Sequence, residues 1–208
     1  MGPAAAWRRA TEASLSSGRA GAAFTGAVLC GGASRRMGRD KALLPVEGRA
    51  MAARVADALR GAGATEVLAV GGDEEALTAL GFHVRPDGHP GDGPLPATIT
   101  ALHAAREDAV LVVSCDLIHP SSRAMAATVQ ALLDHPGAVG AVPVDGGHRQ
   151  WTHAAWRADA ARALVAAYER GDRSLKRAGA DLLIFEVTGL DPEALLDADE
   201  PGDLPPSG

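Results

Sequence analysis

At 208 residues the chain is long enough for one well-buried core and short for two. Its formal net charge of −6 argues against a broad nucleic-acid surface, which needs a basic excess, and no apolar run approaches the roughly 18–20 residues of a membrane span. Apolar residues make up 47% and aromatic residues only 3%, so Ala, Leu and Val must build the core, a composition suited to helices packed on a parallel sheet. The two cysteines, Cys30 and Cys115, each follow an apolar run and read as buried reduced thiols. No CxxC or clustered Cys/His spacing indicates zinc. Residues 1–24 carry Arg8 and Arg9 without a following apolar stretch. They read as a flexible extension rather than a secretion signal, with a cytoplasmic domain at 25–204 and a frayed tail at 205–208.

From residue 26 strands and helices alternate. Gly26–Leu29 is expected as a strand closed by Gly31 and Gly32. Met51, Val55, Ala58 and Leu59 stand at helical spacing over 50–60, and Gly61 and Gly63 stop that helix. A strand is expected at Val67–Val70, a short helix capped by Asp73, and a weaker strand at Phe82–Val84. The Pro/Gly/Asp-rich stretch 86–94 reads as a loop, 95–106 as a helix, and Ala109–Val113 as the strongest strand. Ser121 or Ser122 caps a helix over 123–134. A strand at Val139–Val142, helices at Arg157–Arg170 and 173–178, and a strand at Leu182–Val187 complete the pattern. This order predicts an α/β fold: a single Rossmann-like domain with a mainly parallel central sheet and helices on both faces. In such sheets ligands bind beyond the carboxyl ends of the strands, so the loops after residues 29, 70, 85 and 114 should share one rim.

The first of these loops concentrates the chemistry. Arg35, Arg36, Arg39 and Lys41 surround a single acid, Asp40, whereas residues 181–208 carry eight acids and no Lys or Arg. A basic island in an acidic protein marks a local anion site. Glycines directly after a strand let backbone N–H groups turn toward phosphate oxygens, Arg36 adds a forked donor, and Lys41 a mobile point charge. The loop is neither a Walker A sequence, since no GK[ST] ends it, nor a dinucleotide fingerprint, since GxGxxG is absent.

The segment from Leu29 to Lys41 matches LxGGxSxRMGxDK at every specified position: Leu29, Gly31, Gly32, Ser34, Arg36, Met37, Gly38, Asp40 and Lys41. In this it resembles the molybdenum cofactor guanylyltransferase-like nucleotidyltransferases. The resemblance continues through Gly93-Pro94-Leu95, Cys115-Asp116 and the closing run Asp197 to Leu204, spanning residues 25–204. It implies a nucleotide site formed by Leu29, Cys30, Gly31, Gly32, Ser34, Lys41, Gly71, Asp87, Gly93 and Asp116, with Arg36, Lys41 and Asp116 as catalytic residues. It also implies Mg²⁺ as cofactor, held by Asp116 with Asp197 or Asp199. A carboxylate at the position of Asp116 can hold Mg²⁺ against triphosphate oxygens; the plainer reading is a helix cap or polar strand end. Asp197 and Asp199 alternate, so an extended segment would turn both to one side. Asp87, with Asp92 as competitor, can accept hydrogen bonds from a guanine edge or a ribose hydroxyl, or can serve simply as a turn residue.

Several positions depart from the family pattern. Gly93-Pro94-Leu95-Pro96-Ala97 replaces GPLAG, Gly71 stands where Asn is frequent, Cys115-Asp116-Leu117-Ile118 lacks the proline of CDxP, and Gln150-Trp151-Thr152 stands in place of QPL. These changes touch base and acceptor contacts and spare the triphosphate loop. The reaction implied is transfer of GMP from Mg-GTP to the phosphate of molybdopterin cofactor with release of pyrophosphate. The alternatives are transfer of CMP or another nucleotide to a different phosphorylated acceptor, or a non-catalytic nucleotide- or cofactor-binding module. GTP or another nucleoside triphosphate, a molybdopterin-type acceptor and transient contact with cofactor-accepting enzymes are the expected partners, with no nucleic acid and no membrane.

Overall fold

The structure, a computed structural model, describes residues 23–31, 40–198 and 201–203. The expected extension over 1–24 and tail over 205–208 therefore lie almost wholly outside the described residues. In chain order the elements are β1 (Phe24–Leu29), β2 (Pro45–Val46), β3 (Arg49–Ala50), α1 (Met51–Gly61), β4 (Ala64–Val70), α2 (Glu74–Ala79), β5 (His83–Arg85) and α3 (Pro94–Ala104). There follow β6 (Ala109–Ser114), α4 (Ser122–Asp134), β7 (Gly140–Asp145), β8 (His148–Arg149), β9 (Ala155–Arg157), α5 (Ala160–Glu169), α6 (Leu175–Ala178) and β10 (Ile184–Val187). Short 3-10 turns form at Lys41–Leu43, Trp151–His153, Pro192–Leu195 and Pro201–Asp203. None of the helices among the described residues is long and apolar enough to cross a membrane.

The main sheet runs β10-β7-β9-β6-β1-β4-β5, with β8 paired to β7 alone. β1 lies between β4 and β6, parallel to both, and its last residue, Leu29, aligns with Val70 on one side and Ser114 on the other. All six residues of β1 are buried, as a strand covered on both faces requires. Alternate residues feed two cores. Val28, Val113, Leu59 and Val129 pack on the face covered by α1, α2 and α4. Ala27, Val112, Leu102 and Leu164 pack on the face covered by α3, α5 and α6. The chain moves outward from β1 to β4 and β5, then returns to the other side of β1 as β6. The carboxyl end of β1 is therefore the switch point of the sheet, where the crevice opens.

The expected mainly parallel sheet with helices on both faces is observed, and the caps fall where the sequence put them. Asp73 accepts from Ala76 N at 3.0 Å, and Ser121 rather than Ser122 caps α4. Some expectations need correction. Arg157 does not begin a helix; it ends β9, an antiparallel strand inserted between β6 and β7. Trp156 of β9 pairs with Val110 and Gly140, and a Cβ on Gly140 would lie 3.0 Å from its ring, so Gly140 makes room for the indole. The β2–β3 hairpin was not anticipated, and α3 ends at Ala104 instead of residue 106. Pro94 and Pro96 sit in the first turn of α3, where a missing N–H costs no helical bond, and Leu95 and Pro96 are buried.

Candidate active site

The carboxyl ends of four strands are tied together by backbone bonds. Cys30 N and Gly31 N both donate to Val70 O (2.9 and 3.1 Å), Cys115 N donates to Leu29 O at 3.2 Å, and Gly71 N donates to Arg85 O at 2.9 Å. These bonds place the loops after β1, β4, β5 and β6 on one rim, as the strand pattern predicted. Gly71 has φ +72°, and a Cβ there would stand 2.9 Å from Gly31 Cα. A Cβ on Gly31 would stand 3.4 Å from Asp87 Oδ2. Gly31, Gly71 and Asp87 thus converge, and the two glycines permit the close approach of the loops after β1 and β4. The other oxygen of Asp87 accepts from His89 N at 3.0 Å, an Asx turn that fixes the carboxylate. The side chains of Leu29 and Cys30 are buried in opposite cores, so these two positions can offer a nucleotide only main chain. Gly93 caps α3 at φ +86°, with Arg173 O 3.2 Å from where its Cβ would be. Gly32, Ser34 and Arg36 lie outside the described residues.

Lys41 opens a 3-10 turn whose cap is Asp40. Asp40 Oδ1 accepts from Ala42 N at 3.0 Å, and its Oδ2 accepts from Asp73 N at 3.2 Å, joining the end of the basic loop to the turn after β4. Lys41 Nζ then lies 3.2 Å from Asp116 Oδ2 and donates to Ala198 O at 2.6 Å. Both side chains are largely sheltered, 17% and 15% exposed. The Ser114 hydroxyl donates to the second oxygen of Asp116. The carboxylate is therefore oriented by a cation and a hydroxyl, not spent as a helix cap, since α4 is capped by Ser121. Sequence reasoning gave no role to Asp40, Ser114 or the Ala198 carbonyl. Asp40 had a legible signal as an acid just before a helical turn, and the other two had none.

The closing segment pairs with the chain beyond β6. Leu117 and Asp197 form an antiparallel bridge, flanked by Ile118 N to Leu196 O (3.0 Å) and Ala198 N to Asp116 O (2.9 Å). Residues opposed in such a bridge share a face, so Asp197 sides with Leu117 and away from Asp116. Its carboxylate meets the buried His153 imidazole, with Nε2 3.1 Å from Oδ1 and 3.3 Å from Oδ2 and hydrogen-bond alignment only toward Oδ2. The structure thus brings Lys41 and Asp116 together and directs Asp197 to a different partner. Asp199 lies outside the described residues.

Asp92, the competitor of Asp87, is already engaged. Tyr168 donates its hydroxyl to Asp92 Oδ2 at 2.6 Å, and Arg173 Nε is 3.1 Å from the same oxygen. The Arg173 guanidinium also lies 4.1 Å from the centroid of the Tyr168 ring. The Tyr168 bond, aided by Arg173 and His89 and opposed by partial desolvation, holds the Asp92 carboxyl below its usual range; the same bond holds the Tyr168 phenol above its own. Trp151 and Trp156 are both buried, their rings stacked 6.1 Å apart, and a Cβ on Gly179 would fall 2.4 Å from the Trp151 ring. Both indoles pack. Cys30 and Cys115 are free and buried. A hydrogen bond with Cys30 and burial push the Cys115 thiol well above its ordinary value, which keeps it protonated and unreactive.

Among the described residues no three His, Cys, Asp or Glu side chains converge on one point. The donor set on the rim is the Asp116 carboxylate, a hard oxygen ligand already facing a cationic ammonium. That suits Mg²⁺, which takes one or two carboxylates and fills its remaining positions with phosphate oxygens and water.

Comparisons with known proteins identify relatives of the chain and a shared fold. The "Probable molybdenum cofactor guanylyltransferase" of Pelotomaculum thermopropionicum is 48% identical over 93 residues, 45% of this chain and 45% of that protein. The matched stretch is thus less than half of that relative's length. The molybdenum cofactor guanylyltransferase of a Shewanella species is 30% identical over 151 residues, 71% of this chain and 76% of that protein. The crystal structure of molybdopterin-guanine dinucleotide biosynthesis protein A from Archaeoglobus fulgidus superposes with a TM-score of 0.68 at 19% identity, covering 86% of this chain and 94% of the other, which shows a shared fold. The family model of the MobA-like NTP transferase domain matches residues 26–183, from within β1 to the residue before β10. With the glycine seam and the Lys41–Asp116 pair inside or at the edge of that span, the chain belongs to the MobA-like NTP transferase domain family.

Proposed function

We propose that the chain transfers GMP from Mg-GTP to the phosphate of molybdopterin cofactor and releases pyrophosphate. The observation that carries this reading is the Lys41–Asp116 pair, held on the rim beside the Gly31–Gly71 seam in a chain of this family. An oxygen of the acceptor phosphate forms a bond to the α-phosphorus, the bond from that phosphorus to the α,β-bridging oxygen breaks, and pyrophosphate departs with the electron pair. A phosphate monoester is anionic near neutral pH, so no general base is needed, and catalysis consists of positioning and charge stabilisation. Bare backbone at Gly31, with Gly32 and Arg36 beyond it, would cradle the triphosphate. Lys41 would neutralise charge developing at the α-phosphate, exchanging its contact with Asp116 for one with the phosphate. Asp116 would hold Mg²⁺, alone or with Asp199, and the ion would supply positive charge to offset that of the triphosphate. Asp87, fixed by its turn and adjacent to Gly31, would accept from the N1–H and 2-amino edge of guanine.

The test is pyrophosphate release with Mg²⁺ and molybdopterin cofactor, using GTP, CTP, ATP and UTP in turn. Acceptor-dependent release with GTP alone is the expected result. Release with CTP would keep the chemistry and reassign the base. Tight nucleotide binding without release from any of the four would point to a different phosphorylated acceptor or to a non-catalytic binding module.

A further inference from the structure

His153 is 4% exposed, at the end of the Trp151–His153 turn, and no motif or spacing singles it out. It shares a small recess with Leu111, Val113, Leu117 and Met125, surroundings that an apolar side chain would fill at no polar cost. Its Nδ1 is buried without a hydrogen-bond partner among the described residues. Among the described residues the ring's polar contact is that of Nε2 with the Asp197 carboxylate, which is 29% exposed. An ionised carboxylate only accepts, so Nε2 carries the proton and donates it.

Asp197 lies one residue before Ala198, whose carbonyl takes the Lys41 ammonium at 2.6 Å. The strip 196–198 is otherwise held to 116–118 by the two backbone bonds that make up the Leu117–Asp197 bridge, and by Ala198 packing on Val46 and Met51. We propose that His153 is a positioning residue: by donating to Asp197 it locks the closing strip against the end of β6, so that the Ala198 carbonyl holds Lys41 beside Asp116. A buried imidazole with one nitrogen unmatched is retained at a polar cost because its other nitrogen fixes the strip that presents Lys41. The kinetic consequence rests on the transferase reading above, whereas the placement of Lys41 does not.

The chain has two lysines, Lys41 and Lys176, so their amines can be followed separately. The experiment is brief acetylation of the full-length chain with acetic anhydride, the labelling of Lys41 relative to Lys176 being read by mass spectrometry. Three proteins are compared: wild type, His153→Leu (apolar volume, no donor) and His153→Gln (donor kept). Relative Lys41 labelling is expected to rise about tenfold in the leucine variant, the effect of losing one buried hydrogen bond to a charged group, and to stay near wild type in the glutamine variant. Turnover in the leucine variant should fall by a similar factor, with the nucleotide KM within about threefold, and the glutamine variant should recover most of it. Equal Lys41 labelling in all three proteins would overturn the proposal. Should the leucine variant fail to fold, Asp197→Ala must expose Lys41 in the same way, and unchanged labelling there is equally fatal. A wild type that releases no pyrophosphate removes the transferase reading and leaves the labelling result to decide the role of His153.

Discussion

Lys41 and Asp116, 75 residues apart in sequence, meet with Nζ 3.2 Å from Oδ2 at the carboxyl ends of β1 and β6. The pair is a cation facing the carboxylate that would hold the metal, and both side chains are oriented by further contacts, with Ala198 and Ser114. Lys41→Ala should lower kcat by about 10²–10³, the range for removing one preorganised group that stabilises transition-state charge, while nucleotide KM changes by only a few-fold. Asp116→Asn should require far more Mg²⁺ for any remaining activity. Steady-state kinetics over a Mg²⁺ series measures both, and unchanged kcat in Lys41→Ala would remove that residue from the chemistry.

Asp87 and Asp92 are five residues apart and have different employment. Asp87 faces Gly31, and Asp92 is consumed by Tyr168 and Arg173. Asp87→Ala is therefore expected to weaken binding of a non-hydrolysable GTP analogue by at least about tenfold, as for a lost hydrogen bond to a charged group, whereas Asp92→Asn should leave it within about threefold. Calorimetric titration distinguishes them, and a larger loss from Asp92→Asn would exchange their roles.

Tyr168 is the single tyrosine, so phenolate absorbance near 295 nm reports it alone. Its midpoint should lie above that of free tyrosine and move back down in Asp92→Asn. A raised phenol pKa contributes stability below the ordinary tyrosine range, and this is lost as pH rises through the raised value. The lowered pKa of Asp92 contributes above the ordinary carboxylate range, and this is lost as pH falls through the depressed value. The clamp between the 86–93 loop and α5 is thus intact between those limits. A normal midpoint for Tyr168 would show that it does not form in solution.

Gly71 combines φ +72° with backbone 2.9 Å from where its Cβ would be. Gly71→Ala should destabilise the fold by about 2 kcal/mol, from left-handed strain together with the clash at Gly31. Asn tolerates the dihedral better but brings the same Cβ, so Gly71→Asn should also destabilise, by less. Urea denaturation measures both, and a neutral alanine variant would contradict the close approach.

The sequence reached far into this protein because its strongest signals are local. Continuous apolar runs such as Ala109–Val113 mark strands buried on both faces, Asp73 and Ser121 announce helix starts, and the match from Leu29 to Lys41 fixes the loop that follows β1. Those features determined a mainly parallel sheet and a rim at the ends of β1, β4, β5 and β6. The sequence could not determine β9, because Ala155–Arg157 is three residues long and exists only through simultaneous pairing with β6 and β7. Nor could it determine the partners of the acids. Alternation around residue 197 says which side chains share a face but not what that face meets. Only the antiparallel register with Leu117 turned Asp197 to His153 and left Ala198 O and Asp116 to hold Lys41. Strand and turn propensities act over a few neighbouring residues, whereas these contacts join positions 41, 116, 153 and 197, which only the folded sheet brings within bonding distance.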